Sequence, residues 1–279
     1  MIINGFPGGA GAGGGIPFAY SGLWKWDKDG YGNDIVKLLT SGEIFFLTAM
    51  ALEVYMGGGG GSGAVQNASD ASGRAVTGGA GGYTAVFQFN PALKTEYEMI
   101  VGAGGAGAVM GANGSTVAGK AGGASSAFGH TANGGNGGSY GSNAVGASGG
   151  SDSAGYNTTN GQRGGTDGGN ATGTYPGIGQ GRTTKAFGEA NGELFGGGGG
   201  SVSYLYAAYV AAGGDATATA GIYNISGVLG ADCPDNKGGG SGGMWANTSG
   251  YANKGTGKGG SGVIILRSPK LVNPMGGAL

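Results

Sequence analysis

Short runs in which apolar and polar residues alternate, or in which β-branched and aromatic residues cluster, recur along the chain and predict β-strands. In LEVYM (52–56) every second residue is large and apolar, and in TEYEMIV the apolar Tyr97 and Met99 alternate with Glu96 and Glu98. This period of two is typical of a half-buried antiparallel sheet. The predicted strands are 18–26, 35–39, 43–47, 52–56, 83–90, 96–101, 124–130, 201–212, 222–228 and 263–267.

Turn residues separate the first strands. Asp27, Asp29, Gly30 and Gly32 predict a hairpin turn before the second strand, because Asp and Gly tolerate the positive φ of tight turns. Helical periodicity is not convincing anywhere. The segment SVSYLYAAYVAA (201–212) is compatible with a short helix, but its flanking glycines and its Tyr and Val residues favour a strand. The pattern therefore predicts an all-β protein with antiparallel sheets.

Glycine runs lie between these predicted strands and need a structural explanation of their own. The chain has 75 glycines in 279 residues, and only 7 prolines and no strict G-X-Y period, which excludes collagen. Two alternatives remain for the runs: loops, or extended left-handed helices of the polyproline II type that exchange hydrogen bonds with neighbours. We expect a bundle of such helices for the long middle run, with flexible loops as the alternative. The runs are 57–63, 102–123, 134–181, 196–200 and 238–262.

Composition and charge indicate which class of protein the chain belongs to. Hydrophobic residues make up 39% of the chain and aromatic residues 9%, values typical of a folded protein. With 14 basic and 15 acidic residues, the net charge of -1 gives no reason to expect a nucleic-acid partner. The sequence contains no run of 18 apolar residues, so membrane insertion is not predicted. Residues 1–15 lack the pattern of a conventional secretory signal. One cysteine, Cys233, and one histidine, His130, predict neither a disulfide framework nor a His-rich metal site.

Glycine abundance also generates nucleotide-binding patterns. Gly102, Gly104 and Gly107 spell G-x-G-x-x-G after a predicted strand, but no helix or carboxylate follows at the required place. The string GSTVAGK (114–120) has the spacing of a phosphate-binding loop, but Ala121 stands where Ser or Thr would hold Mg²⁺. At this glycine frequency about five matches to the first pattern and about one to the second are expected by chance. We therefore expect no enzyme activity and no cofactor.

Four strings resemble the glycine-rich domains of bacteriophage tail and fibre proteins: DGYGNDIVKLLTSGEIFFLTAMALEVYMGGGGGSG, YTAVFQFNPALKTEYEMIVGAGGAG, GGASSAFG and GGSGVIILR. Together they cover most of residues 16–268. A related arrangement, in which jelly-roll strands are interleaved with extended glycine helices, occurs in the glycine-rich region of anaplastic lymphoma kinase receptors. The chain departs from the family pattern in residues 1–15 and in a tail, 269–279.

The resemblance implies a jelly-roll-like antiparallel β-sandwich (16–268), interleaved with glycine-rich loops or polyglycine II-type helices. It also implies an N-terminal arm (1–15) for docking or assembly on the virion and a C-terminal tail (269–279). The implied function is that of a virion exterior protein, a tail-fibre or tail-tip component for host attachment. The alternative is a purely architectural head fibre, decoration or collar protein. The implied partners are other virion proteins, further copies of the chain in a homo-oligomer such as a trimer, and a host cell-surface glycan.

Aromatic residues within the glycine-rich parts are the candidate binding residues, because aromatic rings displayed at loop tips stack on sugar rings. Individually, each such ring also fits the alternative of filling a gap between the sheets and the glycine bundle. The candidate receptor-binding residues are Tyr204, Tyr206, Tyr209, Trp245 and Tyr251.

Overall fold

A computed structural model of the chain describes residues 16–67, 74–75, 87–111, 115–140, 184–187, 192–200, 202–203, 217–224, 229–246 and 254–268. Within these ranges all regular secondary-structure elements are β-strands, which confirms the all-β prediction. The strands are β1 (Phe18–Tyr20), β2 (Trp24–Lys28), β3 (Asp34–Leu38), β4 (Gly42–Phe46), β5 (Leu52–Gly57), β6 (Val65–Asn67), β7 (Arg74–Ala75), β8 (Phe87–Phe89), β9 (Tyr97–Met99), β10 (Ser125–Ala127), β11 (His130–Ala132), β12 (Thr184–Lys185), β13 (Leu194–Phe195), β14 (Val202–Ser203), β15 (Ile222–Asn224), β16 (Met244–Ala246) and β17 (Val263–Arg267).

Two antiparallel sheets pack as a β-sandwich. One has five strands in the order β2-β3-β17-β5-β8, and the other has three in the order β1-β4-β9. The main core lies between them, and its buried side chains come from both sheets and from β10 and β11. The alternating residues Leu52, Val54 and Met56 all belong to this core, as predicted. Other members include Val36, Leu38, Ile44, Phe46, Met99, Ile264 and Leu266.

The outer face of the five-stranded sheet is also covered. Tyr55, Val263 and Ile265 point away from the main core and pack with Ala186 and Phe195 in a second buried cluster. Because both faces of β17 are buried, its residues VIIL form a continuous apolar run, whereas β5 keeps Glu53 between Leu52 and Val54. The segment around β13 is thereby held against the outer face of the sheet, where it forms one wall of the site described below.

Two predicted strands turn at points that the pattern does not reveal. Residues 18–26 form β1 and β2 in different sheets, because the chain crosses between the sheets at Gly22. A Cβ there would lie 2.7 Å from the carbonyl oxygen of Ser41, so the crossing requires glycine. Residues 124–130 form the hairpin of β10 and β11, with its turn at Phe128 and Gly129 (φ 51° and 81°). The Phe128 ring packs on the Phe89 ring, 3.9 Å between centroids, which holds this unusual conformation.

The antiparallel pairing predicted for the sandwich is confirmed in both of its sheets, whereas one small sheet outside the sandwich is parallel. β15, β16 and β6 pair in parallel, with Met244 opposite both Ile222 and Val65. β6 and β16 each follow a glycine segment, and these two segments run side by side in the same direction. The strands pair in parallel because the segments before them are packed in parallel. Gly239 and Gly242, for example, lie against Gly60 and Gly63 upstream of β16 and β6.

The glycine-rich runs pack side by side as extended segments, which we call the glycine lattice. In its central segment, the positions of Gly58 and Gly61 face Asn133 and Asn136, so both chains advance by three residues between contacts. Three residues per turn without internal hydrogen bonds is the geometry of the polyproline II helix. The lattice comprises segments 57–64, 102–108, 117–123, 133–138, 196–200, 217–221, 229–233, 238–243 and 255–262.

Hydrogen bonds between lattice segments repeat with the same step of three. The amide of Gly59 donates to the carbonyl of Gly123 at 2.9 Å, and the amide of Ser62 donates to that of Lys120 at 2.8 Å. Backbone groups buried away from water therefore find partners in neighbouring segments. Extended segments of this kind are present in these shorter runs. The bundle was predicted for the long middle run, 134–181, and residues 141–181 of that run lie outside the described residues, so this prediction stays untested.

Candidate functional site

The turn between β2 and β3 forms as predicted and anchors one side of a polar groove. Asp29 Oδ1 accepts hydrogen bonds from the amides of Tyr31 (2.9 Å) and Asn33 (2.7 Å), and Gly32 takes a φ of 83°. Asp27, which the sequence assigns to the turn, lies within β2. The turn thus presents Gly30 and the 59% exposed Tyr31 at its tip.

A buried lysine organises the centre of the groove. Lys37 lies in β3 with its side chain 6% exposed, and its ammonium donates to Asp27 Oδ2 at 2.7 Å and to the carboxylate of Glu193. The same carboxylate accepts a hydrogen bond from Lys237. Glu193 therefore joins the β13 segment to the five-stranded sheet and to the lattice segment that follows Lys237.

A second ionic cluster fixes the end of β17. The Arg267 guanidinium donates to Asp29 Oδ2 at 2.6 Å and to Glu53 Oε2 at 2.7 Å. The ring of Phe187 stacks on it, with the Arg267 Cζ 3.9 Å from the ring centroid. Because the Asp29 side chain has no exposed surface, this cluster locks the hairpin turn against the sheet.

The groove has a volume of about 330 Å³ and opens to solvent. Lys28 forms part of its rim and is paired with Asp34 at 2.6 Å. Its walls come from both sides, the β2–β3 hairpin and the segment before β13. The lining residues are Asp27, Lys28, Asp29, Gly30, Lys37, Gly192 and Glu193.

The charges in the groove are fixed at neutral pH. The hydrogen bond from Lys37 lowers the pKa of Asp27 to about 2. Burial raises the pKa of Glu193, but hydrogen bonds from Lys237 and Lys37 lower it by more, so it stays below its ordinary value. Burial lowers the pKa of Lys37, and its bonds to Asp27 and Glu193 more than compensate, so that pKa is raised. The lining carries three carboxylates, Asp27, Asp29 and Glu193, and two ammonium groups, Lys28 and Lys37. Each of these five groups is ion-paired, and paired charges suit a neutral polar ligand.

The candidate residues taken from the sequence are mostly outside the described structure. Tyr204, Tyr206, Tyr209 and Tyr251 all fall there. Trp245 lies in β16, where it is 3% exposed and stacks on Tyr223 with 4.6 Å between ring centroids. Its ring packs inside the protein, which is the gap-filling role that the sequence left open as the alternative.

Sequence reasoning assigned Asp27, Asp29 and Gly30 to a turn and did not predict the groove, although Lys37 carries a signal. A lysine in the centre of the apolar run IVKLL is unusual and indicates a paired, buried charge at Lys37. The partner Glu193 carries no such signal, because it precedes a glycine run far along the chain. Only the packing of β13 on the sheet brings the two together.

The apparent dinucleotide motif at Gly102, Gly104 and Gly107 belongs to the lattice. A Cβ at Gly102 or at Gly104 would overlap backbone atoms of Gly123 or Gly259, and the segment continues as extended chain rather than opening a helix. Among the described residues, no group of three or more His, Cys, Asp or Glu side chains is placed to hold a metal ion. The same part of the chain contains no helix that is long and apolar enough to span a membrane.

The fold and the groove define an all-β protein built from a sandwich and a glycine lattice. Residues 44–269 match the family described as glycine-rich domain, and the chain belongs to that family. No curated protein matches the chain at a significant level.

Proposed function

We propose that the chain is a non-enzymatic structural protein on the exterior of a bacteriophage particle, a tail-fibre or tail-tip component that contacts the host cell. Membership of the glycine-rich family supports the structural part of this proposal. The resemblance to phage tail and fibre domains, carried by the strings quoted above, supports the proposed location on a bacteriophage particle. The glycine lattice supports a load-bearing role, because backbones packed this closely leave little room for movement or for protease access.

The groove is the surface that we propose for contact with the host, and it carries the attachment part of the proposal. Its carboxylates accept and its ammonium groups donate hydrogen bonds, and each charged group of the lining has an ion-pair partner. Sugar hydroxyls need both kinds of partner, and an exposed aromatic ring such as Tyr31 offers a face for stacking. A neutral cell-surface glycan is therefore the ligand class that fits.

Binding of the purified full chain to intact cells of the phage's host tests this proposal. We expect saturable binding that competes with phage adsorption. The double variant Lys28→Ala/Tyr31→Ala should bind at least tenfold more weakly, because Lys28 lines the groove, Tyr31 is exposed at the tip of the adjoining turn, and neither belongs to the core. Leu93→Ala is the matched control, since Leu93 is 50% exposed and does not line the groove. Equal binding by the double variant and the control would remove the groove from the proposal.

An architectural role is the second candidate, and the glycine lattice itself favours it. A rigid scaffold suits a head fibre, decoration or collar protein without any receptor. In that case the chain binds no host cells, and gold-labelled antibody marks the head or collar of the particle rather than the tail tip.

A further inference from the structure

The outer edge of β2 is open in the described part of the chain. β2 is the first strand of the five-stranded sheet, and no described strand lies beyond it. The amide of Leu39 donates to Leu23 and that of Asp29 to Asn33, so odd-numbered residues of β2 direct their backbone groups toward β3. The N–H and C=O groups of Trp24 and Trp26 therefore point away from β3, and no described strand pairs with them.

Natural proteins usually protect such an edge with charges, and β2 carries three. Their order, however, is self-complementary. When the sequence WKWDK pairs antiparallel with a copy of itself about Trp26, each Lys25 stands opposite an Asp27. The apolar residues at this edge are also exposed, Leu23 by 67% and Trp26 by 38%.

We propose that two copies of the chain associate through β2 about a two-fold axis at Trp26, forming one continuous ten-stranded sheet. The outward N–H and C=O of Trp26 then bond reciprocally with those of Trp26 of the partner subunit. The Trp24 amide donates to the carbonyl of the partner's Lys28, while the Lys28 amide keeps its bond to Asp27 Oδ1 at 2.9 Å. Self-association of this kind is isologous and closes at a dimer.

Side chains on both faces of β2 fit this pairing. Trp26 lies on the sandwich side, 6.5 Å from the Phe18 ring, so the two Trp26 rings meet as a cross-strand aromatic pair. Lys25 and Asp27 lie on the groove side, 3.3 Å apart within one chain. Non-hydrogen-bonded positions of an antiparallel pair bring side chains closest, and Lys25 and the partner's Asp27 occupy such positions.

Charge reversal with rescue tests the proposal, with sedimentation velocity of the full chain as the measurement. The natural chain should sediment as a dimer. Lys25→Asp and Asp27→Lys each place like charges opposite one another and should weaken self-association by about tenfold or more. An equimolar mixture of the two variants should restore the dimer, because opposite charges then face each other at both positions. Restoration on mixing is a result that a merely structural role of either residue does not produce.

A backbone test covers the case in which Asp27→Lys disturbs the fold through its contact with Lys37. Trp26→Pro removes only an outward N–H from the backbone, and an edge strand tolerates proline at such a position. It should weaken the dimer more than Trp26→Ala, which loses the same ring but keeps the amide. The proposal is overturned by a natural chain that stays monomeric at about 100 µM. It is equally overturned by an oligomer that neither Lys25→Asp nor Trp26→Pro affects.

Discussion

Gly60 offers the sharpest test of why the lattice contains glycine. A Cβ at this position would overlap the carbonyl group of Gly239, and every close atom belongs to backbone. The Gly60 amide also donates to Gly260 at 2.9 Å, and its carbonyl accepts from Gly105 at 2.8 Å. No flexible side chain can move aside to accommodate a methyl group, so Gly60→Ala must shift a neighbouring segment.

The expected cost follows from these contacts. Overpacking costs about 1–3 kcal/mol. Weakening two backbone hydrogen bonds adds about 1 kcal/mol each, for a total of about 3–5 kcal/mol. Gly57→Ala is the matched control in the same run, since a Cβ there would lie 3.7 Å from the Tyr55 hydroxyl, an ordinary contact. The control should change stability by less than about 1 kcal/mol.

Thermal unfolding followed by circular dichroism measures the difference. At about 2–4 °C per kcal/mol, Gly60→Ala should melt at least about 6 °C below the natural chain, and Gly57→Ala close to it. Melting temperatures that agree for the two variants would refute the steric explanation of the glycine content.

Three further outcomes are expected. Because the pKa of Asp27 is lowered to about 2 in the folded chain and is about 3.9 when unfolded, its ionised form stabilises the fold above about pH 4, and this contribution is lost as the pH falls toward 2. Asp27→Asn should flatten that part of the profile of melting temperature against pH, and an unchanged profile would contradict the pairing with Lys37. Burial raises the pKa of the Cys233 thiol to about 11, so a thiol reagent at pH 8 should label it slowly until denaturant is added, whereas fast labelling of the native chain would contradict its burial. Trp245→Ala should lower the free energy of unfolding by about 3–5 kcal/mol through loss of its packing on Tyr223, and a change below about 1 kcal/mol in a denaturant titration would contradict that packing.

The strands of the sandwich were predictable because their side chains obey a local rule. Period-two alternation in LEVYM and TEYEMIV places Val54 and Met99 in the core, and both are fully buried. The breaks at Gly22 and Phe128 were not predictable, since each depends on contacts with distant residues, the backbone of Ser41 in one case and the Phe89 ring in the other.

The glycine lattice was predictable in kind but not in arrangement. Glycine content alone indicates close backbone packing, yet it carries no information on which segments become neighbours or on their direction. The parallel pairing of β6 with β16 results from that packing and from no local signal. The groove shows the same limit, because Lys37 is conspicuous in its strand while Glu193 becomes its partner only through the fold.

Amide hydrogen exchange of the lattice glycines, followed by NMR, tests most directly whether these runs form an ordered structure. The amides of Gly59, Gly60, Gly105, Gly122 and Gly135 each donate to a carbonyl of a neighbouring segment. They should exchange as slowly as the amides of β17 in the centre of the five-stranded sheet. Exchange of these glycines at the rate of an unstructured chain, while β17 remains protected, would contradict the lattice.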